Sequence, residues 1–152
     1  RMIHHLKYNG AAETGTELGR IYGNSLKNTV FLDGIDLIVP VPLHPSKLRR
    51  RGYNQSELIS KGISESTGIP VSTDILKRIT VTSTQTRKSR YDRWINVNDI
   101  FRIYDREGIV GKHILIVDDV ITTGSTIEAC ASEILKADHV KVSVAALAYS
   151  VI

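Results

Sequence analysis

The chain has 152 residues and a mass of 16.9 kDa, enough for one domain with one core, and its 41% hydrophobic content can fill that core without staples. A single cysteine excludes an internal disulfide, five unclustered histidines give no zinc set, and no apolar run approaches the ~18 residues of a membrane span. The formal charge of +4 is uneven: residues 44–54 and residues 78–97 each carry +4, leaving −4 for the rest, an acidic body with two cationic segments that suit a compact polyanion such as pyrophosphate at least as well as a duplex.

In chain order, Leu18, Ile21, Tyr22 and Leu26 recur at helical spacing after the Asn9-Gly10 turn signal and predict a helix over residues 11–27 with that stripe on the core. Leu37-Ile38-Val39, ended by Pro40 and Pro42, reads as a buried strand, and the first basic segment as the loop after it. Leu58, Ile59 and Ile63 mark a second helix over residues 54–67, stopped by Gly68 and Pro70. Strand character follows near Val71 and over residues 76–79. Residues 80–98, rich in Ser, Thr and basic residues with almost no apolar periodicity, exceed the ~12–15 residues a compact domain tolerates as loop without function, which predicts a lid. Ile114-Leu115-Ile116-Val117 has the pattern of a central parallel strand covered on both faces. A helix carrying Ile127, Cys130, Ala131, Ile134 and Leu135 on one face comes next, and residues 140–149 close with a β-rich run. Strands alternating with helices predict a doubly wound α/β fold, a mainly parallel sheet flanked by helices whose ligands bind beyond the carboxyl ends of the strands.

The chemistry concentrates after the central strand. Asp118 and Asp119 are followed by Thr122, Thr123, Gly124, Ser125 and Thr126 at the start of a helix, so hydroxyls, backbone N–H groups and a helix dipole converge on an anion cradle. Two carboxylates beside it would repel a bare phosphate, so the ligand must bring donors or a metal, and the vicinal hydroxyls of a ribose phosphate have that pattern. A structural cap role for the acids is the blander reading, and adjacent carboxylates at a strand's carboxyl end favour a site. A receiver domain is not expected, because only 33 residues follow Asp119, nor is a P-loop, because Gly111-Lys112 is followed by His113. Cys130 reads as a small core residue.

Residues 114–126 resemble the phosphoribosyl pyrophosphate (PRPP) signature of type I phosphoribosyltransferases. Val39-Pro40-Val41-Pro42-Leu43, Arg49-Arg50-Arg51-Gly52-Tyr53-Asn54-Gln55, Leu6-Lys7-Tyr8, and Gln85, Arg93 and Asn96 to Phe101 resemble the ComF family, named for competence and DNA uptake. The resemblance implies a type I phosphoribosyltransferase fold spanning residues 1–152. It implies that Asp118 and Asp119 bind the ribose diol, that Thr122, Thr123, Gly124, Ser125 and Thr126 hold the 5′-phosphate, and that Lys47, with Arg49 and Arg51, serves a pyrophosphate loop in which a cis non-proline peptide is common. Arg87, Lys88 and Arg93 would complete the catalytic set from the flexible loop. The implied reaction displaces pyrophosphate from Mg²⁺-bound PRPP through an oxocarbenium-like state onto a nucleophilic acceptor the sequence does not name. Purine-salvage relatives place an aspartate where this chain has Thr122, which disfavours hypoxanthine or guanine as acceptor. The family's upstream zinc ribbon is absent and the first residue is Arg1, so the sequence is expected to be a fragment. A cytoplasmic setting, a homodimer, and contact with single-stranded DNA or the competence machinery are further expectations. The rival readings are a non-catalytic PRPP-fold protein that senses PRPP or handles DNA, and an accessory interaction domain.

Overall fold

A computed structural model describes residues 12–79 and 100–150. The predicted lid, with Arg87, Lys88 and Arg93, lies outside the described residues, as do residues 1–11.

The elements are α1 (Ala12–Leu26), β1 (Leu37–Pro40), α2 (Pro45–Arg51), α3 (Gln55–Thr67), β2 (Leu76–Arg78), β3 (Phe101–Ile103), β4 (His113–Ile121), α4 (Ser125–Ile134) and β5 (Lys141–Tyr149), with short 3₁₀ turns at Val30–Leu32 and Glu107–Ile109. β1, β4 and β5 form a parallel sheet in the order β1-β4-β5, and Val71 adds a parallel bridge to Ile38 on the outer edge of β1. β2 and β3 pair antiparallel as a separate ribbon.

β4 explains why the sheet is buried on both sides. Its alternate residues Ile114 and Ile116 pack with Leu37, Val39, Cys130 and Ile134 on the α4 face, while Leu115 and Val117 pack with Ile38, Ile59 and Ile63 on the α3 face. Helices therefore cover opposite faces. The chain leaves β1 towards Val71 through α3 and leaves β4 towards β5 through α4, so the connections diverge between β1 and β4, where an open α/β sheet binds ligands beyond its strand ends. Among the described residues no helix is long and apolar enough to cross a membrane.

Three local expectations are corrected. Residues 45–51 are not loop but the helix α2: Pro45 opens it with a preset φ, the His44 ring accepts from the Ser46 N–H at 3.2 Å, and Gly52 ends it at φ 81°. The stripe on α1 does not face the core throughout, since Ile21 is 59% exposed. α1 lies on α3 through glycines: a Cβ on Gly19 would fall 2.2 Å from the Ile59 carbonyl oxygen, and one on Gly62 would fall 2.0 Å from that of Thr16. The two backbones touch where a side chain would hold them apart. Leu135 leaves the buried face of α4 because the helix ends at Ile134, and it is 53% exposed.

Candidate functional site

β4 is longer than its predicted apolar core. β1 ends at Pro40 opposite Val117, whereas β4 runs on to Ile121 against β5, pairing Asp118 with Ala146 and Ile121 with Tyr149. The acids thus lie inside the strand rather than at its end, on the stretch where β1 no longer covers β4. The start of α3 fills that notch. Asn54 caps α3 by accepting the Ser56 N–H at 3.2 Å, and the next buried hydroxyl, Ser56 Oγ, donates to Asp118 Oδ1 at 3.0 Å. The Asp119 N–H donates to the same oxygen at 2.9 Å, and Asp119 Oδ1 accepts the Val120 N–H at 2.9 Å.

Asp118 is only 9% exposed. Burial, then the neighbouring Asp119 charge, push its carboxyl up to about 6, while the bonds from the Asp119 N–H and Ser56 pull the other way. Cys130, on the α4 face, is fully buried, and burial together with the Asp118 charge holds its thiol protonated, in keeping with a core residue.

The loop from β4 to α4 carries the predicted cradle. Gly124 stands at φ 80° as the N-cap of α4, supplies no capping side chain, and a Cβ there would meet nothing within 4 Å. The Ser125 N–H makes only a long bond of 3.5 Å to Thr123 Oγ1, so the start of α4 has donors that an anion could take up. Thr123 Oγ1 lies 3.0 Å from Ser125 Oγ, and a cavity of about 20 Å³ is lined by Asp118, Thr122, Thr123, Gly124 and Thr126 among others. The structure thus brings together the acids and the hydroxyl loop. It does not bring Lys47, Arg49 and Arg51 into that cavity. Lys47 and Arg49 are exposed on α2, and the half-buried Arg51 donates from Nη1 to Gln55 Oε1 at 3.2 Å. No cis peptide bond occurs among the described residues. Nor do they contain a cluster of three metal-ligating side chains.

Residues 48–150 match the phosphoribosyl transferase domain family. The chain belongs to that family. Among its relatives, this phosphoribosyltransferase domain is 32% identical over 138 residues to the DNA utilization protein YhgH of Salmonella typhimurium, covering 89% of this chain and 60% of that protein. It is 40% identical over 93 residues to Competence protein F of Haemophilus influenzae, covering 60% of this chain and 41% of that protein. The ComF resemblance is thereby met, and the chain spans about 60% of the length of the first of these relatives. The fold is similar to that of glutamine phosphoribosylpyrophosphate amidotransferase of B. subtilis, with TM-score 0.65 at 19% identity, covering 95% of this chain and 30% of that one. It is also similar to adenine phosphoribosyltransferase of Saccharomyces cerevisiae, with TM-score 0.56 at 15% identity, covering 93% and 70%. At such identities the likeness speaks for the type I phosphoribosyltransferase fold.

Sequence reasoning missed Ser56. The signal available was weak: Asn54 ahead of a helical run announces a cap, but nothing local points from residue 56 to a carboxylate in another element.

Proposed function

We propose that this domain binds Mg²⁺-bound PRPP at the carboxyl end of β4 and transfers its phosphoribosyl group to a nucleophile with release of pyrophosphate. The observation that carries the reading is the juxtaposition of the buried Asp118 and its half-buried neighbour Asp119 with a glycine-capped helix start at the point where the sheet's connections diverge. Asp118 and Asp119 would accept from the ribose diol, and Thr122, Thr123, Gly124, Ser125 and Thr126 would hold the 5′-phosphate through hydroxyl and N–H donors. Displacement breaks the bond from the anomeric carbon to the pyrophosphate oxygen, whose electron pair leaves with the diphosphate. The acceptor's lone pair then forms the new bond, and its proton leaves to solvent or base. Cations stabilise the leaving group as its charge develops. Lys47, Arg49 and Arg51 are proposed for that role from the chain after β1, and Arg87, Lys88 and Arg93 from residues 80–98. Mg²⁺ enters as part of the substrate, on the diphosphate. Thr122 in place of an acid supports an acceptor other than hypoxanthine or guanine. A screen of nucleobases, amines and ammonia for pyrophosphate release from PRPP tests the reading: acceptor-dependent release is expected, and bound PRPP with no release for any acceptor would leave a binder rather than a transferase.

A second reading, in which the PRPP fold serves DNA handling without catalysis, is favoured by the names of the relatives, DNA utilization protein and Competence protein F, and by the exposed cations of α2. Duplex or single-strand binding through several phosphates weakens steeply with salt, and binding of one small chelated ligand much less. The salt dependence of the two affinities separates the roles. A cytoplasmic setting and a homodimer belong to the same proposal.

A further inference from the structure

The end of the Arg51-Gly52-Tyr53-Asn54-Gln55 motif has no task in the function proposed above, yet it begins α3 with three consecutive buried polar residues. Each holds a different part of the site. Asn54 Nδ2 donates to the Val41 carbonyl at 3.0 Å, just past the end of β1. Gln55 Oε1 accepts from Arg51 of the cationic helix α2 at 3.2 Å. Ser56 Oγ reaches Asp118, 62 residues away, at 3.0 Å. Polar groups this buried lose much if a partner is removed, because water does not replace it freely.

We infer that Asn54, Gln55 and Ser56 form a positioning element that fixes the Asp118 carboxylate and the chain carrying α2 to one turn of α3, holding the ribose and diphosphate ends of one substrate in register. The inference rests on the PRPP reading. Ser56 and the Asp119 N–H converge on one oxygen of Asp118, which sets the plane of the carboxylate before any ligand arrives. Among the described residues, Asp118 faces the charge of Asp119 on its own strand and the thiol of Cys130 on α4, which Arg78 also influences; α3 brings the neutral hydroxyl of Ser56, and β5 pairs Ala146 there. Asn54 and Gln55 tie the same turn to the chain after β1 and to Arg51 of α2, whose cations stand outside the acid-lined cavity.

Ser56→Ala tests the link and should fold, since alanine is a better helix former than serine. In the ligand-free protein, the NMR titration of the Asp118 carboxyl carbon should move to higher pH in Ser56→Ala and return towards wild type in Ser56→Thr, which keeps the hydroxyl. With ribose 5-phosphate and inorganic pyrophosphate as probes, Ser56→Ala should weaken ribose 5-phosphate about tenfold, the loss expected for one bond to a charged group, with little effect on pyrophosphate. Asn54→Ser, which keeps a capping oxygen but cannot reach Val41, should weaken both probes. An unmoved titration in Ser56→Ala, or ribose 5-phosphate affinity unchanged in that variant, overturns the positioning role. A wild type that binds neither probe refutes the PRPP reading itself, while the ligand-free titration still decides whether Ser56 governs Asp118.

Discussion

Burial of the Asp118 carboxyl disfavours its charged form, so its effect on stability distinguishes a site residue from a structural cap by experiment. Its folded carboxyl, pushed up to about 6 from the ordinary value of 3.8, holds its proton where the unfolded chain has lost it. Stability contributed by this group is therefore present below the unfolded value and lost as pH rises through the folded one. Asp118→Asn should consequently raise unfolding free energy by about 1–3 kcal/mol near pH 7.5 and lose that gain near pH 4, read from urea denaturation at both values. A destabilised variant at neutral pH would identify the carboxylate as structural. Gly124 offers a second comparison of strain with function. Gly124 and Gly68 share left-handed backbone, φ 80° and 79°, with open space where a Cβ would stand. Alanine at either position should cost about 1–2 kcal/mol, but only Gly124→Ala should weaken ribose 5-phosphate, because only that Cβ would stand in the phosphate cradle. Equal affinities in the two variants would remove the cradle from the loop.

Element packing shows where sequence periodicity is informative. β1, β4 and α3 were legible because each buries side chains at regular spacing: Leu37-Ile38-Val39 and Ile114-Leu115-Ile116-Val117 are apolar on both faces, and Ile59 and Ile63 lie one turn apart. α1 was legible as a helix but not in its orientation, since its contact with α3 is made by backbone at Gly19 and Gly62, which hydrophobic patterns do not register. α2 is hidden in the sequence because its arginines leave no apolar stripe, and only Pro45 and Gly52, its start and stop signals, mark it. The acid pair and hydroxyl loop could be seen because they are contiguous, whereas Ser56 meets Asp118 only through the fold. The glycine contact also carries a prediction. Gly62→Ala forces a Cβ against backbone rather than a yielding side chain, so stability should fall by about 1–3 kcal/mol or more, with amide exchange in α1 rising first. Unchanged exchange in α1 would mean that the two helices separate without cost.

At the scale of the molecule, Asp118 and Asp119 stand on the stretch of β4 that runs on past the end of β1, and the cations of α2 stand outside the cavity that Asp118 lines. That arrangement suits one compact ligand with a hydroxyl-bearing end and a polyanionic end. Binding such a ligand stabilises the folded state alone, by roughly 2.7 kcal/mol at about 100 times its dissociation constant. Nucleic acid would engage the cations without requiring Asp118 or Asp119, so charge alone cannot imitate the expected dependence on the acid pair. The most direct measurement is thermal unfolding with and without Mg²⁺-bound PRPP, comparing the wild type with the Asp118→Asn, Asp119→Asn double variant. The account predicts a raised Tm in the wild type and a much reduced shift in the variant; no shift in the wild type, or an undiminished one in the variant, would contradict it.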